Sequence, residues 1–459
     1  MTRIQTAPPT SVDEGYAFFE SLLNSERRPD IRTYRLERME VLVSRLGNPQ
    51  DRFRSIHIAG TKGKGSTAAY AAELLAEFHQ ACGLYCSPHV NSYRERIRLI
   101  GIPDGETPVL RAMQRIHAEI LAMEADGDPI PTTFEALTAC AFVAFVEAGV
   151  TWAVLEVGLG GRLDATNVVK PEVAAITAIG MDHMEFLGPT IGHIAAEKAG
   201  VAKPGVPLVV MPNGELVENV IAETATSKGA VLHQLSDART PPLSVDAGGT
   251  RIHLPGAPPV QLRMNGAVQG RNVAVVLAAL ALTDLETDLA AFPLRTAAAL
   301  SRAWQPGRFE LLTIRGRTLV LDGAHTAESV ATTRETLLAM GIRTSCAVFG
   351  TSSGRDPVPL VRALGPVPRL IFTRAGDFRP QQPDRMLALP GMPGPDGTSV
   401  RAEPADALSE AMDSVPEGSA VLIFGSLHLV GAVRRALGIG QEDLAADRLR
   451  RPLGGRRWP

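Results

Sequence analysis

The stretch His57-Ile58-Ala59-Gly60-Thr61-Lys62-Gly63-Lys64-Gly65-Ser66-Thr67 decides the fold class. Ile56-His57-Ile58-Ala59 reads as a short buried strand, the glycines as a tight turn, and Ser66 through Ala72 as the opening of a helix. Such a strand–turn–helix presents unpaired amides and a positive dipole end to an anion. The glycines let the backbone approach phosphate oxygens, Lys64 supplies a point charge, and Ser66 and Thr67 supply hydroxyls. The expected ligand is a nucleoside triphosphate with magnesium. The spacing is a variant of the common phosphate loop: only Thr61 and Lys62 separate Gly60 from Gly63, and Gly65 precedes Ser66.

At 459 residues the chain is too long for one ordinary core, so two domains are expected. Hydrophobic residues at 45% and charged residues at 21% fit a globular protein and exclude a disordered one. A formal net charge of -3 gives no reason to expect a nucleic-acid or acidic-membrane partner. The arginines at 448, 450, 451, 456 and 457 crowd a tail, residues 441–459, that reads as a frayed, solvated terminus. No apolar run is long enough to span a bilayer, and Met1-Thr2-Arg3-Ile4-Gln5-Thr6 lacks a signal-peptide core. Cys82, Cys86, Cys140 and Cys346 are too few and too apolar in setting for a disulfide scaffold, so the expectation is a cytoplasmic protein.

Short β-rich runs alternate with longer helical ones, which predicts an α/β fold with a mainly parallel sheet covered by helices on both faces. Predicted strands include Gly83–Cys86, Arg96–Ile100, Thr151–Val157, Val173–Ile179 and Val206–Met211, with helices from about Glu106 to Ala125 and from Thr133. Around Asp237–Pro258, proline, glycine and short alternation suggest hairpins or a loop-rich insertion, and a helix is expected from Asn272 through Leu282. Gln305-Pro306-Gly307 is the candidate junction, dividing residues 1–304 from a smaller Rossmann-like unit over 305–440. Strands are expected there at Thr318–Leu321, Cys346–Phe349, Leu370–Phe372 and Val421–Phe424.

In doubly wound sheets ligands bind at the carboxyl ends of strands, so polar residues just after the apolar runs are candidates. These are Ser87, Glu156, His183, Asp322 and His325, with Ser426 and His428 after the last strand. Glu156 interrupts an apolar run where an unpaired carboxylate is expensive. Two readings compete: an ion pair with Arg162, or ligation of phosphate-bound magnesium, which favours carboxylate oxygens. His183 is expected to end a strand neighbouring that of Glu156, whereas His57 and His79 read as ordinary core or surface histidines. Lys198 lies among Ile194, Ala195, Ala199 and Val201, so partial burial is expected. Burial lowers a lysine pKa, and a neutral amine reacts with carbon dioxide to give a carbamate, another oxygen ligand for a cation.

These residues together resemble the folylpolyglutamate synthase/dihydrofolate synthase group of the Mur ligase superfamily. The likeness runs through the loop at 60–66, Ser87-Pro88-His89, Glu95-Arg96-Ile97, Leu155–Asn167, Asp182-His183 and Glu197-Lys198-Ala199-Gly200. It continues through Gly307-Arg308-Phe309-Glu310, Asp322-Gly323-Ala324-His325 and Gly425–Gly431. The resemblance implies an ATP-dependent ligase that adds L-glutamate to a folate carboxylate by way of an acyl phosphate; whether dihydropteroate is a second acceptor stays open at this point. It implies that Gly60, Thr61, Gly63, Lys64, Gly65, Ser66 and Thr67 hold the phosphates, with Asn272, Arg308 and Asp322 on the nucleotide. It further implies that Ser87 and Glu156 ligate one Mg2+, and that His183 and carbamylated Lys198 support a second. His325 would lie near phosphate or glutamate, which makes Lys64, His183, Lys198 and His325 the candidate catalytic residues. Thr132, Phe134, Asp164 and Ala165 match positions that surround the pterin. A monomer is expected by the same likeness, while a monovalent-cation requirement is not set.

Two departures are local. Lys62 stands where the family has asparagine, adding positive charge beside the phosphates, and Thr326-Ala327 follow His325 where the family has Asn-Pro. A Mur-type ligase acting on another carboxylate is disfavoured by the specific block from Glu156 to Asn167. A degenerate nucleotide-binding protein is disfavoured by Lys64, Glu156, His183 and Lys198 standing together.

Overall fold

The computed structural model describes residues 6–24, 35–376, 379–394 and 396–439; the arginine-rich tail lies outside them. The first sheet is formed by β1 (Arg54–Ala59), β2 (Cys82–Tyr85), β3 (Ile97–Ile100), β4 (Trp152–Glu156), β5 (Val173–Ile176), β6 (Pro207–Val210) and β7 (Val231–Gln234), in the order β3-β2-β4-β1-β5-β6-β7. All its pairings are parallel except β2 with β3. Alternation along β4 shows how it is covered. Trp152 and Val154 join a core with the helices Lys64–His79 and Val268–Leu280 on one face. Ala153 and Leu155 join a core with Glu106–Asp126 and Thr133–Glu147 on the other. Each fully buried Leu, Val or Phe in these layers contributes about 1.5–3 kcal/mol over an exposed one.

The segment expected to hold hairpins forms a three-stranded antiparallel sheet, β8 (Leu243–Asp246), β9 (Gly249–Ile252) and β10 (Val260–Leu262). The second large sheet comprises β11 (Glu310–Ile314), β12 (Arg317–Leu321), β13 (Thr344–Phe349), β14 (Leu370–Phe372), β15 (Thr398–Val400) and β16 (Ala420–Phe424), ordered β11-β12-β16-β13-β14-β15. It is parallel apart from the β11–β12 hairpin. That hairpin turns at Arg315 and Gly316, both with positive φ (48° and 69°), the signature of a type I′ turn.

Four sequence expectations need correction. The strand expected over Val173–Ile179 stops at Ile176, and Ala178 instead bridges to Lys62. The helix expected from Asn272 begins at Val268, so Asn272 sits within its first turns. His183 does not end a strand beside that of Glu156: β1 lies between β4 and β5, and His183 precedes the short helix Met184–Leu187. β7, β11 and β15 add to the expected strands; β7 and β15 are short edge strands where burial leaves little pattern, whereas β11 alternates in burial along Glu310–Ile314. The four cysteines are free and buried, as expected of core residues. Among the described residues no helix is long and apolar enough to cross a membrane.

Candidate active site

The carboxyl ends of both large sheets open onto one cavity of about 980 Å3. Its wall includes Lys64, Ser87, Glu156, His183, Lys198 and His325. Asn272, Arg308, Asp322, Thr132, Phe134, Asp164 and Ala165 face the same space, as do Thr61, Gly63, Gly65 and Ser66. Gly60 and Thr67 stand behind that wall. Gly60 takes a φ of 142°, and a Cβ there would lie 1.9 Å from Thr177 Oγ1, so the turn admits only glycine. Thr67 is 1% exposed and its hydroxyl has no hydrogen-bond partner among the described residues.

The loop is pinned before it reaches the helix. Thr61 and Lys62 N–H both donate to Ala178 O, at 2.8 and 3.0 Å. These two amides are therefore occupied, and the free anion-binding donors are the first amides of the helix Lys64–His79. Close approach explains the loop's glycines: a Cβ at Gly65 would come 3.3 Å from Glu156 Oε2, and one at Gly63 would come 2.5 Å from Asn272 Oδ1.

Glu156 ends β4 with its Oε2 accepting from Ser87 N–H at 3.1 Å. Burial raises its pKa, against the lowering charges of Lys64 and Arg308. Arg162 takes no part; it pairs with Glu197 at 2.8 Å, so the alternative ion pair with Glu156 is ruled out. Among the described residues no three His, Cys, Asp or Glu side chains converge as a ready-made metal cage. One buried, cation-flanked carboxylate beside a phosphate loop nevertheless fits Mg2+, which keeps waters and takes its remaining ligands from phosphate.

Lys198 is 4% exposed, and burial together with the Lys64 charge brings its pKa down to about 7. Asp182 is the hub of the cavity floor. It faces Lys62 (3.4 Å), His325 Nε2 (3.4 Å) and Arg355 (3.1 Å), with His183 at 4.0 Å. Burial alone would raise its pKa, but the positive charge around it, that of Lys62 foremost, holds it well below the carboxylate range. Lys62 thus leans on Asp182 as well as adding charge to the loop, and burial lowers its pKa to about 8. His325 is held by Nδ1–H donating to Gly323 O at 2.7 Å, and burial brings its pKa down to about 4. Thr326, in the departure from Asn-Pro, caps the helix Ala327–Ala339 through its hydroxyl. Asp322 is raised by burial to about 6, with Arg308 opposing.

Around the opposite end, Asp164 Oδ2 accepts from Gly158 and Leu159 N–H at 3.0 and 2.9 Å, while Oδ1 accepts from Thr166. The Thr166 hydroxyl meets His57 Nε2 at 2.8 Å. His57, read from sequence as an ordinary core histidine, thereby supports the loop that follows β4. Arg355 is the other residue that sequence reasoning did not single out, and Asp182, quoted there within Asp182-His183, was given no role. No local pattern marks Arg355; a lone arginine in Ser353-Gly354-Arg355 reads as solvated until the two sheets are brought together.

The Mur ligase middle domain matches residues 58–280 and the Mur ligase glutamate ligase domain matches residues 307–427. The dihydrofolate synthase/folylpolyglutamate synthase of Bacillus subtilis is 32% identical over 413 residues, covering 88% of this chain and 94% of its own length. The chain belongs to the folylpolyglutamate synthase/dihydrofolate synthase family. The protein of the same description from Mycobacterium tuberculosis is 31% identical over 443 residues, with coverage of 88% and 90%. Among solved structures of the family, M. tuberculosis folylpolyglutamate synthase complexed with ADP superposes with a TM-score of 0.82 at 29% identity, covering 93% of this chain and 99% of that one. E. coli FolC in complex with DHPP and ADP superposes at 0.77 with 26% identity, covering 94% and 98%.

Proposed function

We infer that the protein is an ATP-dependent ligase joining L-glutamate to folate, and propose that it also makes dihydrofolate from dihydropteroate. The single observation that carries the second acceptor is geometric: the phosphate loop and Thr132, Phe134, Asp164 and Ala165 line one continuous cavity. A pterin seated on the latter set would share that cavity with Lys64.

The chemistry required is the approach of two anions, the triphosphate and the acceptor carboxylate. Lys64 and the helix N-terminal amides would hold the phosphates, and Asn272, Arg308 and Asp322 the nucleoside side. Ser87 and Glu156 would hold Mg2+, which supplies charge neutralisation for phosphoryl transfer. Lys198 is buried enough for its amine to be neutral near pH 7, and we propose that it is carbamylated and, with His183, forms a second cation site. His325 and Arg355 belong to the second sheet's side of the cavity and would meet the acyl phosphate or the incoming glutamate. Closure of the second sheet's unit over the cavity would exclude water that would otherwise hydrolyse the acyl phosphate. Both walls come from one chain, which supports a monomer as the active form.

The test is ADP release with L-glutamate, offering dihydropteroate, tetrahydrofolate or neither, with product masses read in parallel. Turnover with both is expected. Turnover with tetrahydrofolate alone would remove the dihydropteroate activity, and silence with both would point to another carboxylate.

A further inference from the structure

Behind the cavity the two sheets are tied together by one buried cation. Arg434, in the helix Leu427–Ala436, is 0% exposed. Its Nη1 donates to Glu310 Oε1 at the start of β11, its Nε donates to Asn91 Oδ1 at 3.2 Å, and its guanidinium lies 5.4 Å from the Trp304 ring centroid. Each partner leads to a candidate site residue. Glu310 Oε2 accepts from Gly307 N–H at 3.2 Å, which fixes the backbone immediately before Arg308. Asn91 belongs to the loop that leaves Ser87. There the Glu95 carboxylate gathers the N–H groups of Val90 (2.7 Å), Asn91 (2.6 Å) and Ser92 (3.0 Å). Asn91 Nδ2 also donates to Ile439 O at 2.9 Å, past the end of the Arg434 helix. Contact between that helix and the loop is backbone-close: a Cβ at Gly431 would lie 1.9 Å from Val90 O.

A buried ion pair is a poor source of stability, since desolvating both charges offsets their attraction. Here the cost is visible, because Arg434 Nη2 is buried with no hydrogen-bond partner among the described residues. What the arrangement does supply is geometry. One rigid planar fork grips the segment carrying Ser87 with one nitrogen and the segment carrying Arg308 with another.

We propose that Arg434 is a positioning residue that sets Ser87 and Arg308 at the separation a magnesium-bound triphosphate requires. It touches no substrate and acts through Asn91 and Glu310. The proposal rests on the reading of Ser87 as a magnesium ligand and of Arg308 as a nucleotide contact.

Arg434→Met alone strands the Glu310 carboxylate and is expected to lower the thermal midpoint strongly. The double variant Glu310→Met/Arg434→Met removes both charges at similar volume and is expected to regain most of that midpoint. Its KM for Mg-ATP should stay raised by about tenfold or more, the scale of a displaced binding group, while KM for glutamate is unchanged. Asn91→Ala, which cuts only the arm toward Ser87, should raise the Mg2+ concentration needed for half-maximal turnover at a near wild-type midpoint. If the double variant recovers both midpoint and Mg-ATP KM, or if Asn91→Ala shows a wild-type Mg2+ dependence, the positioning role is overturned. Ser87→Ala and Arg308→Ala separate the two levels. Should these leave Mg-ATP KM unchanged, the assigned roles fail; should they raise it while the other variants do not, only the role of Arg434 fails.

Discussion

Arg355, on the loop after β13, places Nη1 3.1 Å from Asp182 Oδ1 on the loop after β5, so the ion pair joins the two large sheets across the cavity. Both side chains keep some contact with water, Arg355 with 26% and Asp182 with 9% of the side chain exposed. The same arginine donates to His325 O at 3.2 Å, which couples the position of His325 to the opposite wall. Arg355→Met should therefore lower kcat by roughly tenfold or more with little change in thermal midpoint, since Asp182 keeps Lys62 at 3.4 Å as a counter-charge and a pair in contact with water contributes about 0–1 kcal/mol. A matched loss of midpoint and activity would make it a fold contact instead.

Lys64→Ala should reduce ADP release by roughly 10²–10³-fold, the scale of removing one charge-stabilising donor. Circular dichroism and melting should be unchanged, because Lys64 faces the cavity and opens its helix. Wild-type turnover would take the loop out of the mechanism.

For Lys198 the folded pKa of about 7 lies below its ordinary 10.5. The neutral amine that reacts with carbon dioxide is therefore the majority form above pH 7 and is lost below it. Turnover should fall as pH drops through 7 and should rise with added bicarbonate, most visibly in carbon-dioxide-depleted buffer. Lys198→Ala should lose activity by about 10²-fold and recover part of it with formate or acetate. An alanine variant of full activity would reduce Lys198 to a packing residue.

His57 carries the clearest pH signature in stability. Burial, with the Lys203 charge adding to it, brings its pKa from 6.5 to about 3. The unfolded chain thus binds a proton that the folded chain refuses. Stability from this group is complete above pH 6.5 and declines as pH falls toward 3, by at most about 1.4 kcal/mol per pH unit. Urea midpoints taken between pH 7.5 and 4.5 should fall less steeply for His57→Gln than for the wild type. Parallel curves would place a proton acceptor at Nδ1.

Much of this candidate site was legible in one dimension because a strand, glycine turn and helix are local patterns. Gly60 through Thr67 carry their own strand, turn and helix signals, and Glu156 declares itself by interrupting an apolar run. Lys198 was legible for the same reason: it lies in a helix whose residues Ile194, Ala195 and Ala199 are buried with it. The edge strand β7 was not legible for the converse reason. Val231–Gln234 is half solvated, so no face of it is written in apolar residues.

Sequence alone thus determined the α/β class, the glycine turn between β1 and the helix Lys64–His79, and the identity of the polar residues at the strand ends, since these depend on neighbours a few positions apart. Only the tertiary structure decided their partners. Whether Arg162 meets Glu156 or Glu197, whether Lys62 leans on Asp182, and that Arg434 reaches both Asn91 and Glu310 depend on strand order and on how two sheets face one another. Ion pairs and hydrogen bonds act over about 3 Å, while these partners are separated by 35 to 343 positions along the chain. No local pattern encodes such a distance; the packing of the two sheets does.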